Sequence, residues 1–120
     1  MKKRILVVDD DTTSRKAVAR VLAEEGYEAA MAADGAEAAG MLDSYRPDLV
    51  LTDLSMPRLD GRGLTERVRL VLPGTPVVMF SGQAGLDAPL AAERFGVAAF
   101  LAKPFTFEDL LQKVVAIVGR

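Results

Sequence analysis

The sequence predicts an α/β fold in which a parallel β-sheet carries helices on both faces. Apolar, β-branched segments alternate five times with segments of helical periodicity, and the connections between them are short. Most of the apolar segments are continuous rather than alternating, which is typical of strands buried on both faces of a parallel sheet. With 120 residues, half of them apolar, the chain is long enough for one core, so we expect a single domain over residues 1–120.

The first predicted strand is the apolar run Ile5–Val8, which aspartates end. Apolar residues at helical spacing predict a helix over Ser14–Glu25, with Thr12 or Thr13 as its cap and a glycine directly after it. The alanine-rich segment Tyr27–Ala32 is the second predicted strand, although alanine contributes little β propensity.

The middle of the chain continues the alternation. Asp34, with a glutamate three residues later, has the spacing of a capping box and predicts a helix through Leu42. Asp48–Thr52 is a third buried strand, and a loop with a Met-Pro and an Asp-Gly pair follows it. Apolar residues at helical spacing between Leu64 and Leu72 predict the third helix, which a Pro-Gly pair ends.

The last third of the chain predicts two more strands and two more helices. Pro76–Phe80 is the fourth strand, and Asp87 with a proline two residues later indicates the start of a short fourth helix. Ala98–Ala102 is the fifth strand. Thr106, with an aspartate three residues later, caps a final amphipathic helix that runs to Val118.

The composition excludes several classes of function. Cysteine and histidine are absent, which excludes disulfides, thiolate and histidine catalysis, and the usual zinc sites. A net charge of −2 argues against direct binding of nucleic acid. The longest apolar runs are far shorter than the roughly 20 residues that span a membrane. We therefore expect a cytoplasmic protein.

Chemically active side chains follow four of the predicted strands. Asp9 and Asp10 follow the first strand, Asp53 the third, Ser81 the fourth and Lys103 the fifth. In a doubly wound parallel sheet, ligands bind beyond the carboxyl ends of the strands, so the topology brings these residues to one edge. A single aspartate in such a place is usually only a helix cap, and the coincidence of the set indicates a site.

This combination of groups is typical of a site that handles phosphoryl groups. Carboxylates suit a hard cation such as Mg²⁺, and a lysine suits a phosphate oxygen. The three carboxylates of Asp9, Asp10 and Asp53 carry −3, which one Mg²⁺ and Lys103 together balance. Asp11 is interpreted as a helix cap and not as part of the site.

Four motifs, in this order and at these spacings, resemble the receiver domain of bacterial two-component response regulators. They are Ile5–Asp10, Leu51–Pro57 with Asp60–Gly61, Pro76–Gly82 and Phe100–Phe105. The resemblance covers essentially the whole chain. It implies a flavodoxin-like, doubly wound sheet of five parallel strands in the order 2-1-3-4-5, with five helices.

The resemblance also implies a role for each acidic residue. Asp53 would be the phosphoacceptor, which attacks the phosphohistidine of a partner kinase. Asp10 would bind Mg²⁺ directly, together with Asp53 and the backbone carbonyl of Ser55, while Asp9 would act mainly through metal-bound water. Mn²⁺ is an alternative to Mg²⁺ in such a site.

Other residues are implied to complete the chemistry and to transmit it. Ser81 would hydrogen-bond the phosphoryl group and Lys103 would pair with another of its oxygens, and the peptide bond between Lys103 and the next residue, a proline, is expected to be cis. Movement of Ser81 would let Phe100 rotate inward and remodel the surface of the fourth helix, fifth strand and fifth helix. Ser55 and Gln83, each two residues beyond a site residue, would tune the lifetime of the phosphoryl group.

The implied function is a signalling switch and not a metabolic enzyme. Its partners would be a histidine kinase or a histidine phosphotransfer protein, and a downstream protein or an output domain that this sequence does not include. Val97–Ala99 lacks the acidic residues found in many members that dimerise through the output face, so we expect a monomer or weak dimer.

Two alternatives remain open from the sequence. A phosphohydrolase with an aspartyl nucleophile would need a second acid two residues after Asp53, where this chain has Ser55. A receiver-like interaction module that is never phosphorylated would not need the full set of acids, hydroxyl and amine.

Overall fold

Five parallel strands form one sheet within residues 2–83, 85 and 87–120, the part of the chain that this computed structural model describes. The strand order is β2-β1-β3-β4-β5, which confirms the predicted fold class and strand order. The strands are β1 (Arg4–Val8), β2 (Glu28–Ala32), β3 (Leu49–Asp53), β4 (Val77–Ser81) and β5 (Ala99–Ala102). The helices are α1 (Thr12–Glu24), α2 (Gly35–Tyr45), α3 (Gly61–Val71), α4 (Ala88–Phe95) and α5 (Phe107–Val118).

The sheet has a core on each face because successive side chains of a strand point to opposite sides. On β1, Ile5 and Val7 pack with α1 and α5, whereas Leu6 and Val8 pack with α2 and α3. All four side chains are fully buried. This two-sided burial explains why the strands are continuous apolar runs in the sequence, and it holds the strand ends at fixed positions.

The first helix begins differently from the prediction. Asp11 is its cap: the carboxylate of Asp11 accepts a hydrogen bond of 3.0 Å from the backbone N–H of Ser14. Thr12 and Thr13 lie inside the first turn, so the prediction that one of them caps the helix was wrong, while the interpretation of Asp11 as a cap is confirmed. An aspartate is as good a cap as threonine, and sequence alone does not choose between adjacent candidates.

Two helix boundaries lie outside the predicted ranges. Helix α2 continues past Leu42 to Tyr45, because the ring of Tyr45 packs against the core on that face of the sheet. Helix α3 begins at Gly61, one turn before the predicted start, and Asp60 caps it through a 2.9 Å hydrogen bond from the Gly63 N–H. Two glycines in the first turn of α3 concealed this start in the sequence.

The connection from β5 to α5 agrees with the prediction. The peptide bond between Lys103 and Pro104 is cis. Thr106 and Asp109 form a reciprocal capping box at the start of α5. Among the described residues, none of the helices is both long enough and apolar enough to cross a membrane.

Candidate functional site

The carboxyl ends of neighbouring strands bring the predicted site residues together. Strand β3, which ends on Asp53, lies between β1 and β4, and Asp9 follows β1 directly. On the other side, Ser81 ends β4 and pairs with the last residue of β5, directly before Lys103. Residues that are up to 94 positions apart in the sequence therefore share one edge of the sheet.

Three carboxylates form an acid cluster, which we define as Asp9, Asp10 and Asp53. One carboxylate oxygen of each residue lies within 4.8 Å of those of the other two. Asp9 and Asp53 are buried, with exposed fractions of 2% and 8%, and Asp10 is exposed. Two acids of the cluster are therefore enclosed by the protein, and the third is open to solvent.

Lys103 is the cation next to the acid cluster. Its Nζ lies 2.9 Å from Oδ2 of Asp53 and 3.9 Å from Oδ2 of Asp9. Partial burial acts to lower the pKa of Lys103, but the hydrogen bond and charge of Asp53 and the charge of Asp9 outweigh it, so the pKa lies above its ordinary value. Lys103 therefore stays protonated. Its positive charge and the three negative charges of the acid cluster sum to −2.

Asp9 is the most enclosed member of the acid cluster. Burial raises the pKa of Asp9, and the hydrogen bond of 3.0 Å from the Asp11 N–H and the charge of Lys103 offset this only in part. The negative charges of Asp53 and Asp10 raise the same pKa further. The free-energy cost of keeping the Asp9 carboxylate ionised in this enclosed position falls when a cation enters the cluster.

The donor set of the acid cluster fits a hard divalent cation. Carboxylate oxygens are the ligands that Mg²⁺ prefers, and Mg²⁺ typically uses one or two carboxylates and keeps several waters, so the exposed side at Asp10 suits it. Ser55 is exposed beside the cluster, and its N–H lies 3.4 Å from Oδ1 of Asp53. Its backbone carbonyl is the fourth predicted ligand.

Ser81 is the last residue of β4, and Gln83 lies in the connection from β4 to α4. The hydroxyl of Ser81, on a residue that is 4% exposed, accepts a hydrogen bond of 3.0 Å from the Gln83 N–H. The backbone carbonyl of Ser81 accepts a hydrogen bond of 2.8 Å from the Lys103 N–H. The second of these bonds connects Ser81 to Lys103 through the backbone.

Phe100 lies on β5 beneath helix α4. It is 4% exposed and packs with Met79 and Ala91, and its ring centroid is 6.1 Å from that of Phe95. The ring is thus already inside in this structure. It contacts the helix that the predicted output surface includes.

Three further contacts of the site were not predicted from the sequence. The Nζ of Lys103 lies 5.1 Å from the ring centroid of Phe80, and Arg15 donates a hydrogen bond of 2.7 Å to the backbone carbonyl of Asp9. Arg58, in the loop after β3, is paired with Asp34. The contact of Arg15 could have been found from the sequence, because Arg15 lies one helical turn after the Asp11 cap. The other two contacts join distant segments.

Comparison with known proteins places the chain in a class. Residues 5–115 match the response regulator receiver domain. The chain therefore belongs to the response regulator receiver domain family, the signalling domain of two-component systems. This confirms the family that the four motifs predicted.

The particular relatives are bacterial response regulators. Over all 120 residues the chain is 37% identical to the response regulator MprA of Mycobacterium tuberculosis (strain ATCC 25618 / H37Rv), and the match covers 52% of that protein. The chain thus spans about half the length of the curated relatives it matches.

Solved structures show the same architecture. A CheY-like receiver domain protein from Methanospirillum hungatei JF-1 is 33% identical, with a TM-score of 0.87 over 97% of this chain and 93% of that one. The chemotaxis protein CheY4 of Vibrio cholerae is 29% identical, with a TM-score of 0.88 over 98% of this chain and all of that one. NtrX from Brucella abortus is 34% identical, but the match covers only 27% of that chain.

Proposed function

We propose that residues 1–120 form a phosphoacceptor receiver domain in which Asp53 takes one phosphoryl group from the phosphohistidine of a partner protein. The observation that carries this proposal is the buried Asp53 carboxylate, which lies 2.9 Å from the Lys103 ammonium and shares the acid cluster with Asp9 and Asp10. A carboxylate held beside a fixed cation, with a cation site next to it, suits phosphoryl transfer.

In the transfer step, a carboxylate oxygen of Asp53 forms a bond to phosphorus while the bond from phosphorus to the donor's imidazole nitrogen breaks. The product is an acyl phosphate on Asp53, and the electron pair of the broken bond stays on the imidazole. Lys103 offsets charge on a phosphoryl oxygen, and the hydroxyl of Ser81 hydrogen-bonds another. Displacement of Lys103 from Asp53 toward the phosphoryl group is the main rearrangement that this step requires.

Four groups would hold the metal: the carboxylates of Asp9, Asp10 and Asp53 and the backbone carbonyl of Ser55. Asp9 would act mainly through water bound to the metal. When bound, Mg²⁺, or Mn²⁺ in its place, would supply positive charge that offsets the negative charge on the oxygens of the transferred group. Without it, the three carboxylates repel both one another and an incoming phosphoryl group.

We propose that phosphorylation changes the output surface through Ser81 and Phe100. A Ser81 hydroxyl that turns toward the phosphoryl group must leave its hydrogen bond with the Gln83 N–H, which frees the β4–α4 connection. Phe100, packed against Phe95 of α4, couples that connection to the output surface. Ser55 and Gln83 flank the phosphoryl position and tune its lifetime.

The domain acts as a switch and not as an enzyme on a separate substrate. Its donors are a histidine kinase or a histidine phosphotransfer protein, and its output is a protein partner or a domain of a longer chain. Direct contact with nucleic acid or a membrane is not part of the proposal. The domain itself is a monomer or weak dimer that works in the cytoplasm.

The test is Mg²⁺-dependent phosphoryl uptake measured by intact mass. The native chain, treated with acetyl phosphate and Mg²⁺, gains the mass of one phosphoryl group, and EDTA abolishes the gain. Asp53→Asn gains nothing, because an amide does not accept the group. Asp43→Asn, which changes an acid on the exposed side of α2, is the matched control and retains native uptake.

Each other outcome points to a different function. No gain in mass by the native chain overturns the proposal and, if Mg²⁺ still binds, favours an interaction module that is not phosphorylated. Unchanged uptake by Asp53→Asn assigns the phosphoacceptor elsewhere. Continuous release of phosphate from a phosphate monoester favours a phosphohydrolase.

A further inference from the structure

We propose that the pair of Arg58 and Asp34 positions the β3–α3 loop, residues 54–60, and thereby the Ser55 carbonyl of the cation site. The inference deepens the proposed function and rests on it. Asp34 lies at the start of α2 and Arg58 lies five residues after the phosphoacceptor, so the pair joins the site to a separate part of the fold.

The β3–α3 loop is held firmly at its two ends. The N–H of Leu54 donates to the Phe80 carbonyl at 2.9 Å, and the N–H of Gly61 donates to the Leu54 carbonyl, also at 2.9 Å. A Cβ atom on Gly61 would lie 2.4 Å from the backbone oxygen of Asp53, so the start of α3 is packed directly against the end of β3. These contacts fix where the loop leaves β3 and where it enters α3.

Between its ends, the loop has few hydrogen bonds to the rest of the fold. Within the described residues, those of residues 55–60 stay inside the loop, reach β3 or cap α3, apart from the ones that Arg58 makes. Both Nε and Nη2 of Arg58 donate to Oδ2 of Asp34, with the Nε distance 3.1 Å. The Arg58–Asp34 pair is thus the polar connection from the middle of the loop to helix α2.

The backbone around the pair leaves little room for other arrangements. Arg58 has a φ of +70°, in the left-handed region that non-glycine residues avoid. The next residue, Leu59, brings its carbonyl so close to α2 that a Cβ on Gly35 would lie 2.0 Å from the oxygen. A strained conformation at a close contact persists only where its surroundings hold it, and the Asp34 carboxylate supplies such a contact.

Asp34 is suited to act as the fixed partner. Its side chain is 9% exposed, against 68% for Arg58, and its other oxygen accepts a hydrogen bond of 2.8 Å from the Glu37 N–H as the cap of α2. A carboxylate anchored in this way holds the exposed guanidinium, and with it the loop. Because Arg58 is exposed, the pair contributes little to global stability, and its effect should be local.

The test compares Mg²⁺ affinity by calorimetry in three variants. Arg58→Asn removes the guanidinium but tolerates a positive φ, and Asp34→Ser keeps a capping oxygen but is too short to reach Arg58. Both are expected to weaken Mg²⁺ binding about tenfold, the size typical of a lost supporting contact around a metal site. Arg46→Asn is the matched control: Arg46 also has a positive φ, of +50°, and an ion pair with Asp43 at the other end of α2.

A second readout uses no metal. Amide hydrogen exchange of residues 55–60 should accelerate in Arg58→Asn and Asp34→Ser but not in Arg46→Asn, since the loop loses its anchor.

A third readout is the rate of phosphoryl uptake. Saturating Mg²⁺ should restore this rate in Arg58→Asn and Asp34→Ser, because the pair positions a ligand and takes no part in the transfer.

The outcomes separate this proposal from the proposed function. If the native chain takes up phosphoryl groups but Arg58→Asn binds Mg²⁺ as tightly as the native chain does, the positioning role is overturned and the receiver function stands. An effect of Arg58→Asn without one of Asp34→Ser overturns the pairing as its cause. An equal effect of Arg46→Asn shows a general loss of stability and also overturns it. Absence of Mg²⁺-dependent phosphoryl uptake by the native chain overturns the proposed function itself.

Discussion

Asp9 carries its charge in the most enclosed position of the acid cluster. Its residue is 2% exposed, and burial raises the pKa of its carboxyl above the ordinary value. A group whose pKa is raised by folding contributes stability below its unfolded pKa, and this contribution is lost as the pH rises through the folded pKa. At neutral pH the ionised Asp9 therefore lowers the free energy of unfolding of the metal-free chain.

Asp9→Asn is expected to raise the melting temperature of the metal-free chain at pH 7 by about 3 °C, the shift that about 1 kcal/mol gives in a domain of this size. The amide can still accept the hydrogen bond from Asp11 but carries no charge. Thermal unfolding followed by circular dichroism in EDTA measures the shift.

The pH dependence of the same measurement tests the cause. The gain from Asp9→Asn should shrink as the pH falls from neutrality through the raised pKa of the native carboxyl, because the native side chain then takes up a proton and loses its charge. Asp43→Asn, at a side chain that is 92% exposed, is the control and should leave the melting temperature nearly unchanged. A gain that is independent of pH would contradict burial of the charge as its origin.

At the scale of elements, helix α2 contains two glycines with opposite roles. A Cβ added to Gly40 would meet no heavy atom within 4 Å, whereas a Cβ on Gly35 would lie 2.0 Å from the backbone oxygen of Leu59. Gly40 is thus a plain weakness in the helix, and Gly35 is the contact surface for the β3–α3 loop. A glycine inside a helical pattern is a weakness that sequence alone can show, whereas the role of Gly35 depends on a contact with a distant segment.

Gly40→Ala is expected to raise the free energy of unfolding by about 1 kcal/mol, through helix propensity. Gly35→Ala is expected to lower it by about 3 kcal/mol, because two backbone segments must separate. Urea denaturation of the two variants measures both changes. Similar values for the two would show that the loop and the helix separate without cost.

At the scale of the whole molecule, we expect the acid cluster to couple metal binding to folding. The unfolded chain does not hold its three carboxylates together, so Mg²⁺ should bind the folded state alone and stabilise it. Each tenfold rise in Mg²⁺ above its dissociation constant adds about 1.4 kcal/mol.

We expect the melting temperature to rise by about 4 °C for each such tenfold step in Mg²⁺. Differential scanning calorimetry at constant ionic strength measures the dependence. Asp10→Asn should shift it to higher Mg²⁺, since that variant loses a proposed ligand. A melting temperature that does not respond to Mg²⁺, in a chain that still needs Mg²⁺ for phosphoryl uptake, would contradict the coupling.

Much of this molecule follows from local patterns in its sequence. Continuous apolar runs such as Ile5–Val8 identify strands because burial on both faces leaves no room for polar residues. The acids and the lysine that follow strands identify the edge that carries the site, because parallel strands end together. Family resemblance added the strand order, which the alternation alone does not specify.

Tertiary structure decided the features that depend on distant segments. Lys103 pairs with Asp53 across 50 residues and Arg58 with Asp34 across 24, and both pairings depend on how connections pack against strands and helices. The start of α3 at Gly61 likewise depends on its close contact with Asp53. Local propensity determined where strands and helices form and which residues stand at their ends, whereas distances between those residues exist only once both faces of the sheet are packed.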